Sequence, residues 1–321
     1  MIIVTGAAGF IGSVLAKSLN NKGAKDLIVV DKLTKPEKKK NLDSFKFKEF
    51  VDKENFLYRL ERGDFKDPDL VVHMGACADT TEFNVNYLTE NNYEYTRRLC
   101  TWCLDNDVRF IYASSAAVYG DGSNGFSDSD DLTLILKPLN QYGLSKLMFD
   151  KWLIDNKLSK SVVGLRFFNV FGPNEYHKAA MSSVINRFLP LARKEGLVRL
   201  FKSHRDDYVD GGQERDFIYV KDVVRIFDFF LNNDEQKGIF NLGTGNARSF
   251  NDLAISMLTA LGKRPHIEYF DMPLEIRDKY QYFTQADISS LQRAGYKGGF
   301  ISLEDAVTDY VQNYLLSDKY Y

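Results

Sequence analysis

The sequence predicts an α/β protein built on a doubly wound parallel sheet. An apolar run, Ile2 to Thr5, leads directly into a glycine-rich turn. Apolar runs then alternate with amphipathic stretches through the first half of the chain, as strand and crossover helix alternate in such sheets. The 321 residues are 44% hydrophobic, which is enough to bury one large α/β unit with a smaller companion domain.

The predicted elements follow from this alternation. The predicted strands are short apolar runs at Ile2 to Thr5, Leu27 to Val30, Leu70 to His73, Arg109 to Ala113 and Val162 to Phe168. The amphipathic stretches, which we predict to be helices, begin near Phe10, Lys48, Asn92 and Gln141. After residue 172 the alternation breaks, and a helix near 182–194 and a polar loop over 203–214 follow. Strand-like runs at 216–220 and 239–242 are expected to return to the first domain.

The glycine-rich turn has the spacing Gly6-x-x-Gly9-x-x-Gly12 between the first strand and the first helix. Gly6 permits a tight turn, Gly9 lets the backbone approach a pyrophosphate, and Gly12 permits close packing of helix on strand. The helix N-terminus offers amide donors and positive dipole to phosphates. The turn therefore predicts a Rossmann-type dinucleotide-binding domain over 1–170 with the returning segments near 216–242. A smaller C-terminal α/β substrate-binding domain is expected from 171–215 and 243–321.

A second motif indicates acid/base chemistry. Tyr142 and Lys146 form a Tyr-x-x-x-Lys pair, one turn apart on the same helical face. A nearby ammonium would lower the pKa of the phenol, so that Tyr142 could take a proton from a sugar hydroxyl. The strand from Arg109 ends in Ser114 and Ser115, and strand ends are where ligands bind in open α/β sheets.

Composition excludes several other classes of protein. The formal net charge of −2 gives no electrostatic basis for binding nucleic acid, and we interpret the lysines between Lys35 and Lys40 as a solvated loop. Cys77, Cys100 and Cys103 cannot form a disulfide framework, and no second cysteine pair accompanies Cys100-x-x-Cys103 to bind a metal. We expect reduced thiols, no metal site, no membrane segment and a cytoplasmic protein.

More specific segments lie around these motifs. They are His73-Met74-Gly75-Ala76-Cys77, Asn91-Asn92-Tyr93, Arg166-Phe167-Phe168-Asn169-Val170-Phe171-Gly172-Pro173-Asn174-Glu175, His177-Lys178, Arg215-Asp216-Phe217 and Gln281-Tyr282-Phe283-Thr284-Gln285-Ala286-Asp287. With the glycine turn and Tyr-x-x-x-Lys, they resemble the ADP-L-glycero-D-manno-heptose 6-epimerases, nucleotide-sugar epimerases of the extended short-chain dehydrogenase/reductases. This resemblance implies an isomerase that inverts C6″ of an ADP-heptose through a transient ketone and bound NADP. It also implies a role in lipopolysaccharide core precursor synthesis in a bacterial cytoplasm, and a homo-oligomer for which a pentamer is the form considered.

The resemblance assigns residues to three roles. The catalytic set comprises Ser115, which orients the hydroxyl, Tyr142 and Lys178 as acid/base groups on opposite sides of the sugar, and Lys146, which binds nicotinamide ribose. Further cofactor contacts match Phe10, Ile11, Lys38, Lys53, Gly75, Ala76, Cys77, Ala78, Asp79, Asn92, Val170 and Lys178. Substrate contacts match Ser115, Asn169, Ala180, Arg187, Phe201, Lys202, Ser203, His204, Arg215 and Tyr280.

The choice of cofactor depends on local charges. Asp31 lies about 20 residues beyond the glycine turn, where a carboxylate accepts from the ribose 2′-hydroxyl of NAD. Lys32 and Lys38 could instead neutralise the 2′-phosphate of NADP. The resemblance implies that Lys38 contacts the cofactor. NADP is therefore favoured, and NAD is the alternative.

Three departures from the family pattern lie on the substrate side. Ala180 replaces an expected serine, Arg187 replaces an expected histidine, and the loop over 205–214 is several residues longer. Alternative hypotheses are therefore a UDP-hexose 4-epimerase or another nucleotide-sugar epimerase, and a non-enzymatic NADP sensor or scaffold. A 4,6-dehydratase is disfavoured, because Ala116-Ala117-Val118 lacks the Asp-Glu pair needed for water elimination.

Overall fold

The computed structural model describes residues 1–277 and 280–321. Its centre is a sheet of parallel strands in the order β11-β6-β5-β4-β1-β2-β3, which confirms the predicted doubly wound α/β class. The strands of this sheet are β1 Ile2–Thr5, β2 Leu27–Asp31, β3 Glu49–Asp52, β4 Leu70–His73, β5 Arg109–Ser115, β6 Val163–Phe167 and β11 Gly238–Leu242. The order reverses between β1 and β4, and such switch points form a ligand crevice at the carboxyl ends of the strands.

Smaller ladders lie beyond the main sheet. They pair β10 with β7, β12 with β9, and β13 with β8. Their strands are β7 Asn169–Phe171, β8 Val198–Phe201, β9 Glu214–Arg215, β10 Phe217–Tyr219, β12 Arg248–Ser249 and β13 Ile267–Phe270. Of the two runs expected to return to the first domain, 239–242 joins the main sheet beside β6, whereas 216–220 contributes β10 to a separate ladder.

Helices cover both faces of the sheet and build much of the C-terminal part. They are α1 Phe10–Asn21, α2 Pro36–Leu42, α3 Lys53–Glu61, α4 Val85–Leu88, α5 Tyr95–Asp105, α6 Asp130–Ile135, α7 Gln141–Asp155, α8 Val184–Glu195, α9 Val220–Asn232, α10 Phe250–Ala260, α11 Leu274–Arg277, α12 Ser289–Arg293 and α13 Leu303–Asn313. Within the described ranges, none of the helices combines the length and the apolar character required to span a bilayer.

Two predicted boundaries are wrong. The helix expected from Lys48 begins at Lys53, because Glu49–Asp52 forms strand β3 first, and the Asp52 side chain then accepts from the Glu54 amide as the helix cap. The helix expected from Asn92 begins earlier: α4 runs into a π-helical turn, Thr89–Glu94, before α5. In both places the local sequence is mixed and polar, so its pattern did not indicate where the backbone conformation changes.

A buried hydrogen-bond chain connects the glycine turn to helix α7. His73, which is 1% exposed, has Nδ1 2.6 Å from Thr5 Oγ1 and Nε2 2.9 Å from Thr96 Oγ1. Because Thr96 donates its own hydrogen to the Asn92 carbonyl, Nε2 must carry the imidazole hydrogen and Nδ1 accepts from Thr5. The Asn92 amide then donates to Ser145 Oγ on α7, at 3.0 Å. We call this series the His73 chain.

A buried ion pair lies under the middle of α7. Arg166 and Asp150 are both 0% exposed and 2.9 Å apart. Asp150 also accepts hydrogen bonds from Tyr112 and Ser114 of β5, each at 2.8 Å. Every charge in this cluster has polar partners, so α7 is fixed against the strand that ends at Ser115.

The buried state of His73 predicts a pH-dependent stability. Burial lowers the pKa of His73 from 6.5 to about 3, so the unfolded chain binds the additional proton between these values. Stability is therefore fully present above pH 6.5 and falls as the pH drops towards 3. Between pH 7.5 and 5, His73 should account for a loss of about 2 kcal/mol in the free energy of unfolding.

Urea titrations at pH 7.5 and 5 measure this loss. His73→Gln should be less stable at pH 7.5 but lose about 2 kcal/mol less than wild type on acidification. The same change at the exposed His266 is the matched control and should keep the wild-type pH dependence. Equal pH dependence in wild type and His73→Gln would show that His73 is not held neutral.

Candidate active site

The glycine turn folds into a tight cradle between β1 and α1. Gly6 has φ of +66°, and a Cβ at Gly12 would lie 2.1 Å from the Gly6 carbonyl oxygen. A side chain at Gly12 would push α1 away from the turn, and one at Gly6 would meet the backbone of Met74 and Gly75 after β4. The N-terminus of α1 therefore opens onto the crevice beside β4, with the amide groups and positive dipole that suit a pyrophosphate.

Asp31 and Lys38 form an ion pair at the end of β2. The Asp31 carboxylate, in a residue that is 7% exposed, also accepts from the Ala8 amide at 2.9 Å and so fixes the glycine turn. Lys38 donates in addition to the Lys32 carbonyl at 3.0 Å. In the sequence analysis Asp31 favoured NAD and Lys38 favoured NADP. In the structure the two side chains form one ion pair in one site.

A cavity of about 520 Å³ lies over this cradle. It brings together most of the residues predicted to contact the cofactor, namely Gly6, Gly9, Phe10, Ile11, Gly12, Asp31, Lys32, Lys38, Lys53, Gly75, Ala76, Cys77, Ala78, Asp79 and Lys178. Asn92 lies behind the wall, where its Oδ1 accepts from the Cys77 amide at 2.8 Å. Val170, in the ladder of β7 with β10, lies outside this lining, as do Tyr142 and Lys146 of α7.

Ser115 and Tyr142 meet where β5 ends and α7 begins. Ser115 ends β5, and its hydroxyl accepts from the Ala117 amide at 3.2 Å. Asn140 caps α7 through the Gly143 amide at 2.7 Å. A Cβ at Gly143 would lie 2.7 Å from the Ala117 carbonyl oxygen, so only glycine allows α7 to approach this turn so closely. The packing brings the phenol of Tyr142 next to the hydroxyl of Ser115.

The expected lowering of the Tyr142 pKa by Lys146 is wrong for this structure. Burial raises the pKa of the Tyr142 phenol, and its hydrogen bond with Ser115 opposes that rise. The ammonium of Lys146 donates instead to the Ala113 carbonyl at 2.9 Å. Burial lowers the pKa of Lys146 itself to about 8, partly offset by the charge of Asp150.

Lys178 lies on the other side of the cradle, in the turn Tyr176–Met181. Its Nζ is 5.5 Å from the centre of the Phe10 ring. Burial lowers the pKa of Lys178, while the charge of buried Glu175 opposes that effect. An amine in this setting can exchange a proton nearer to neutral pH than an exposed lysine can.

A second cavity, of about 920 Å³, opens between α8, β8, β13 and the segment around Tyr280. Three of the predicted substrate residues line it: Arg187, Phe201 and Tyr280. Arg215 lies behind it at 9% exposure, with its guanidinium 5.3 Å from the centre of the Tyr280 ring. It donates to two backbone carbonyls, of Glu214 and Gln281, and burial lowers its pKa.

The other predicted substrate residues lie outside the lining of this cavity. Asn169 is on β7, 3.4 Å from Thr284 Oγ1, and Ala180 is exposed on the turn that carries Lys178. The segment of Lys202, Ser203 and His204 follows β8, where the His204 amide donates to the Tyr282 hydroxyl at 3.0 Å. In 1–277 and 280–321, no group of three His, Cys, Asp or Glu side chains is arranged to hold a metal.

Several lining residues were missed by the sequence analysis. In the first cavity they include Lys35, Tyr87, Tyr95 and His177, and in the second Phe188, Gln213, Phe250, Glu268, Tyr269 and Phe270. Lys35 lies one helical turn before Lys38 and could have been found from that spacing. The aromatic residues of the second cavity lie on elements whose neighbours are distant in sequence, so no local pattern identifies them.

Known proteins share this architecture and these motifs. Residues 2–243 match the family described as the NAD dependent epimerase/dehydratase family. An ADP-L-glycero-D-manno-heptose-6-epimerase from Nitratidesulfovibrio vulgaris is 50% identical over 316 residues, 98% of each chain. A solved structure of that name from Helicobacter pylori is 30% identical with a TM-score of 0.80, over 97% of this chain and 95% of the other.

A third comparison concerns the cofactor. The UDP-glucuronic acid 4-epimerase from Bacillus cereus, solved with UDP-glucuronic acid and NAD, is 26% identical with a TM-score of 0.76, over 97% of this chain and 99% of the other. The family match covers the cradle, the Tyr-x-x-x-Lys helix and all strands of the main sheet. The family predicted from the sequence is confirmed, and the chain belongs to the NAD dependent epimerase/dehydratase family.

Proposed function

We propose that this protein interconverts ADP-D-glycero-D-manno-heptose and ADP-L-glycero-D-manno-heptose by inverting C6″. The observation that carries the proposal is that Lys178 lines the dinucleotide cradle and that helix α7, which carries Tyr142, is joined to the same cradle by Asn92, which bonds both Cys77 and Ser145. Tyr142 forms a hydrogen bond with Ser115 at the end of β5, and Lys178 lies over Phe10. The names of relatives that match along nearly the whole chain support ADP-heptose as the substrate.

The cradle fits a nicotinamide dinucleotide, which is the cofactor of the family. The open N-terminus of α1 and the glycines beside it suit the pyrophosphate. We propose NADP, with Lys38 as the 2′-phosphate ligand, because Lys38 lines the cavity and Lys32 and Lys35 add positive charge beside it. A nicotinamide bound there would supply a reversible hydride acceptor for C6″, so that the reaction would have no net redox change.

The residues of this chain supply the proton transfers. Ser115 donates to the C6″ oxygen and stabilises the partial negative charge on it as the carbonyl forms. Tyr142 and Lys178 take and return the hydroxyl proton from opposite sides of the sugar. One fixed group cannot easily reach both orientations of the hydroxyl if the rest of the sugar stays anchored, which is why two are proposed. Lys146 holds nicotinamide ribose.

The second cavity is proposed to hold the nucleotide of the substrate. Phe201 and Tyr280 offer aromatic faces for a base, and the guanidiniums of Arg187 and Arg215 suit a diphosphate. We assign this role to a substrate-binding domain made of 171–215 and 243–321. Assembly into a homo-oligomer stays a prediction from the family resemblance.

The direct test supplies purified protein with each ADP-heptose epimer and follows C6″ by NMR, after mass spectrometry has identified the bound dinucleotide. Both epimers should converge on one equilibrium mixture. Turnover of UDP-glucose without turnover of ADP-heptose would instead support a UDP-hexose 4-epimerase. A protein that holds the dinucleotide but turns over neither substrate would support a sensor or scaffold.

The variant Tyr142→Phe tests the first proton-transfer group. It should keep its dinucleotide, because the phenol hydroxyl is not part of the phosphate cradle, and lose at least ~10²-fold in kcat. Initial rates with either epimer measure the loss. A kcat close to wild type, at equal dinucleotide content, would contradict the role of Tyr142.

The variant Lys38→Ala tests the cofactor choice. It removes the cation proposed to face the 2′-phosphate and leaves Asp31 unneutralised, so NADP affinity should fall by roughly 10-fold or more, the scale of one lost charge-assisted hydrogen bond. NAD affinity should change less, since NAD lacks that phosphate. Lys40→Ala, exposed on the same helix, is the matched control in the binding titration. Equal losses for both dinucleotides would show that Lys38 is not the ligand of the 2′-phosphate.

The variant Lys178→Met tests the second proton-transfer group. Lys178→Met and Tyr142→Phe are each loaded with reduced dinucleotide and supplied with an analogue of the sugar that carries a ketone at C6″, and the configuration of the alcohol formed at C6″ is determined. If the two residues serve opposite sides, each variant should lose one stereochemical course more severely than the other. Lys194→Met, at 82% side-chain exposure, is the control. Identical product ratios from both variants would leave Lys178 as a binding residue only.

A further inference from the structure

The turn that carries Lys178 is in contact with the last three residues of the sequence. Tyr176 donates a hydrogen bond from its hydroxyl to the Lys319 carbonyl at 2.7 Å. The rings of Tyr176 and Tyr320 meet edge to face, with centres 4.9 Å apart. The Tyr321 amide donates to Asn174 Oδ1 at 2.8 Å. Three consecutive residues, Lys319–Tyr321, therefore contact the chain from Asn174 to Tyr176, where this turn begins; we call Lys319–Tyr321 the C-terminal latch.

The start of the turn is strained and needs such support. Asn174 has φ of +75° and is fully buried, a left-handed conformation that the surroundings must stabilise. Its side chain makes two hydrogen bonds: Nδ2 donates to Ser13 Oγ of α1 at 2.9 Å, and Oδ1 accepts from Tyr321. The latch thus provides one of the two hydrogen bonds made by this side chain.

The same turn is joined to the cofactor cradle. Asn41 of α2 donates to the carbonyl of Asn174 at 3.0 Å and to the carbonyl of Ala8, in the glycine turn, also at 3.0 Å. Buried Glu175 accepts from Tyr310 of α13 at 2.9 Å. The position of Lys178 over Phe10 therefore depends on contacts from α1, α2, α13 and the latch. Of these, the latch is the most exposed, since Lys319 lies at the surface.

We propose that the C-terminal latch and Tyr176 position Lys178 for proton transfer. The latch holds the turn against the cradle, which keeps the Lys178 amine partly out of water and in reach of the sugar. Tyr176 and the latch residues touch neither cofactor nor substrate in this role; they are positioning residues. The inference rests on the proposed role of Lys178, but the placement of that amine can be measured without reference to catalysis.

The experiment compares wild type with a chain that ends at Asp318 and with Tyr176→Phe, which loses only the hydrogen bond to Lys319. Acetic anhydride modifies the protein over a series of pH values, and peptide mass spectrometry reports the acetylated fraction at Lys178. The kcat and KM for ADP-heptose are measured on the same samples at equal dinucleotide content. Tyr58→Phe, which removes the same atom from a 63% exposed tyrosine, is the matched control.

Loss of the latch should expose Lys178, so the midpoint of its acetylation profile should move to higher pH. The kcat should fall by about 10-fold or more, the scale on which misplacement of a reacting group acts, with KM nearly unchanged. Tyr176→Phe should move both quantities in the same direction by less, and Tyr58→Phe should move neither.

The remaining outcomes distinguish a failure of the latch proposal from a failure of the proposed catalytic role of Lys178. A shifted acetylation profile with unchanged kcat would support the latch and contradict the catalytic role of Lys178. An unchanged acetylation profile in the shortened chain would overturn the latch, whether or not kcat falls. If the shortened chain fails to fold, Tyr176→Phe decides by the same two readouts.

Discussion

The active-site architecture depends on the two hydrogen bonds of one buried histidine. His73 ends strand β4 and joins Thr5, at the glycine turn, to Thr96 on α5, and through Asn92 and Ser145 to α7. The His73 chain of hydrogen bonds forms only while the imidazole is neutral, because Nδ1 must accept a hydrogen bond and Nε2 must donate one. Burial keeps it neutral by lowering its pKa to about 3. His73 therefore fixes the position of the cofactor cradle relative to the helix of the proposed acid/base group, although no step of the proposed chemistry is assigned to it.

Two of the ion pairs in this fold have different roles, one in packing and one at a binding cavity. Arg166 and Asp150 are wholly buried and hydrogen-bonded to neighbouring side chains, so their charges stabilise the packing of α7 on β5. Lys38 and Asp31 also pair, but at the rim of a cavity, where a bound dinucleotide can compete for either charge. The Asp31 carboxylate is held by the Ala8 amide, whereas Lys38 is on a longer and more flexible side chain. This asymmetry is the physical basis for assigning the 2′-phosphate to Lys38.

Much of this architecture follows from local sequence, and the exceptions have physical causes. The spacing of Gly6, Gly9 and Gly12 was sufficient to predict the cradle, because tight turns and helix N-termini depend on neighbouring residues. The strand Glu49–Asp52 was missed, since its pairing partner is β2 rather than any nearby segment. The raised pKa of Tyr142 could not be predicted from Tyr-x-x-x-Lys, because it depends on which carbonyl Lys146 binds. The contacts of Tyr176 with Lys319 and Tyr320 span 143 and 144 residues, and no motif signals them.

We infer that this site inverts a sugar carbon by reversible hydride transfer to a cofactor that stays bound. This inference is tested most directly with ADP-heptose that carries deuterium at C6″, epimerised in ordinary water and analysed by NMR and mass spectrometry. The account predicts that the product keeps its deuterium at C6″, because the hydride returns from the bound cofactor to the carbon that released it. Loss of the deuterium to solvent during inversion would contradict the account and would indicate direct proton abstraction from carbon.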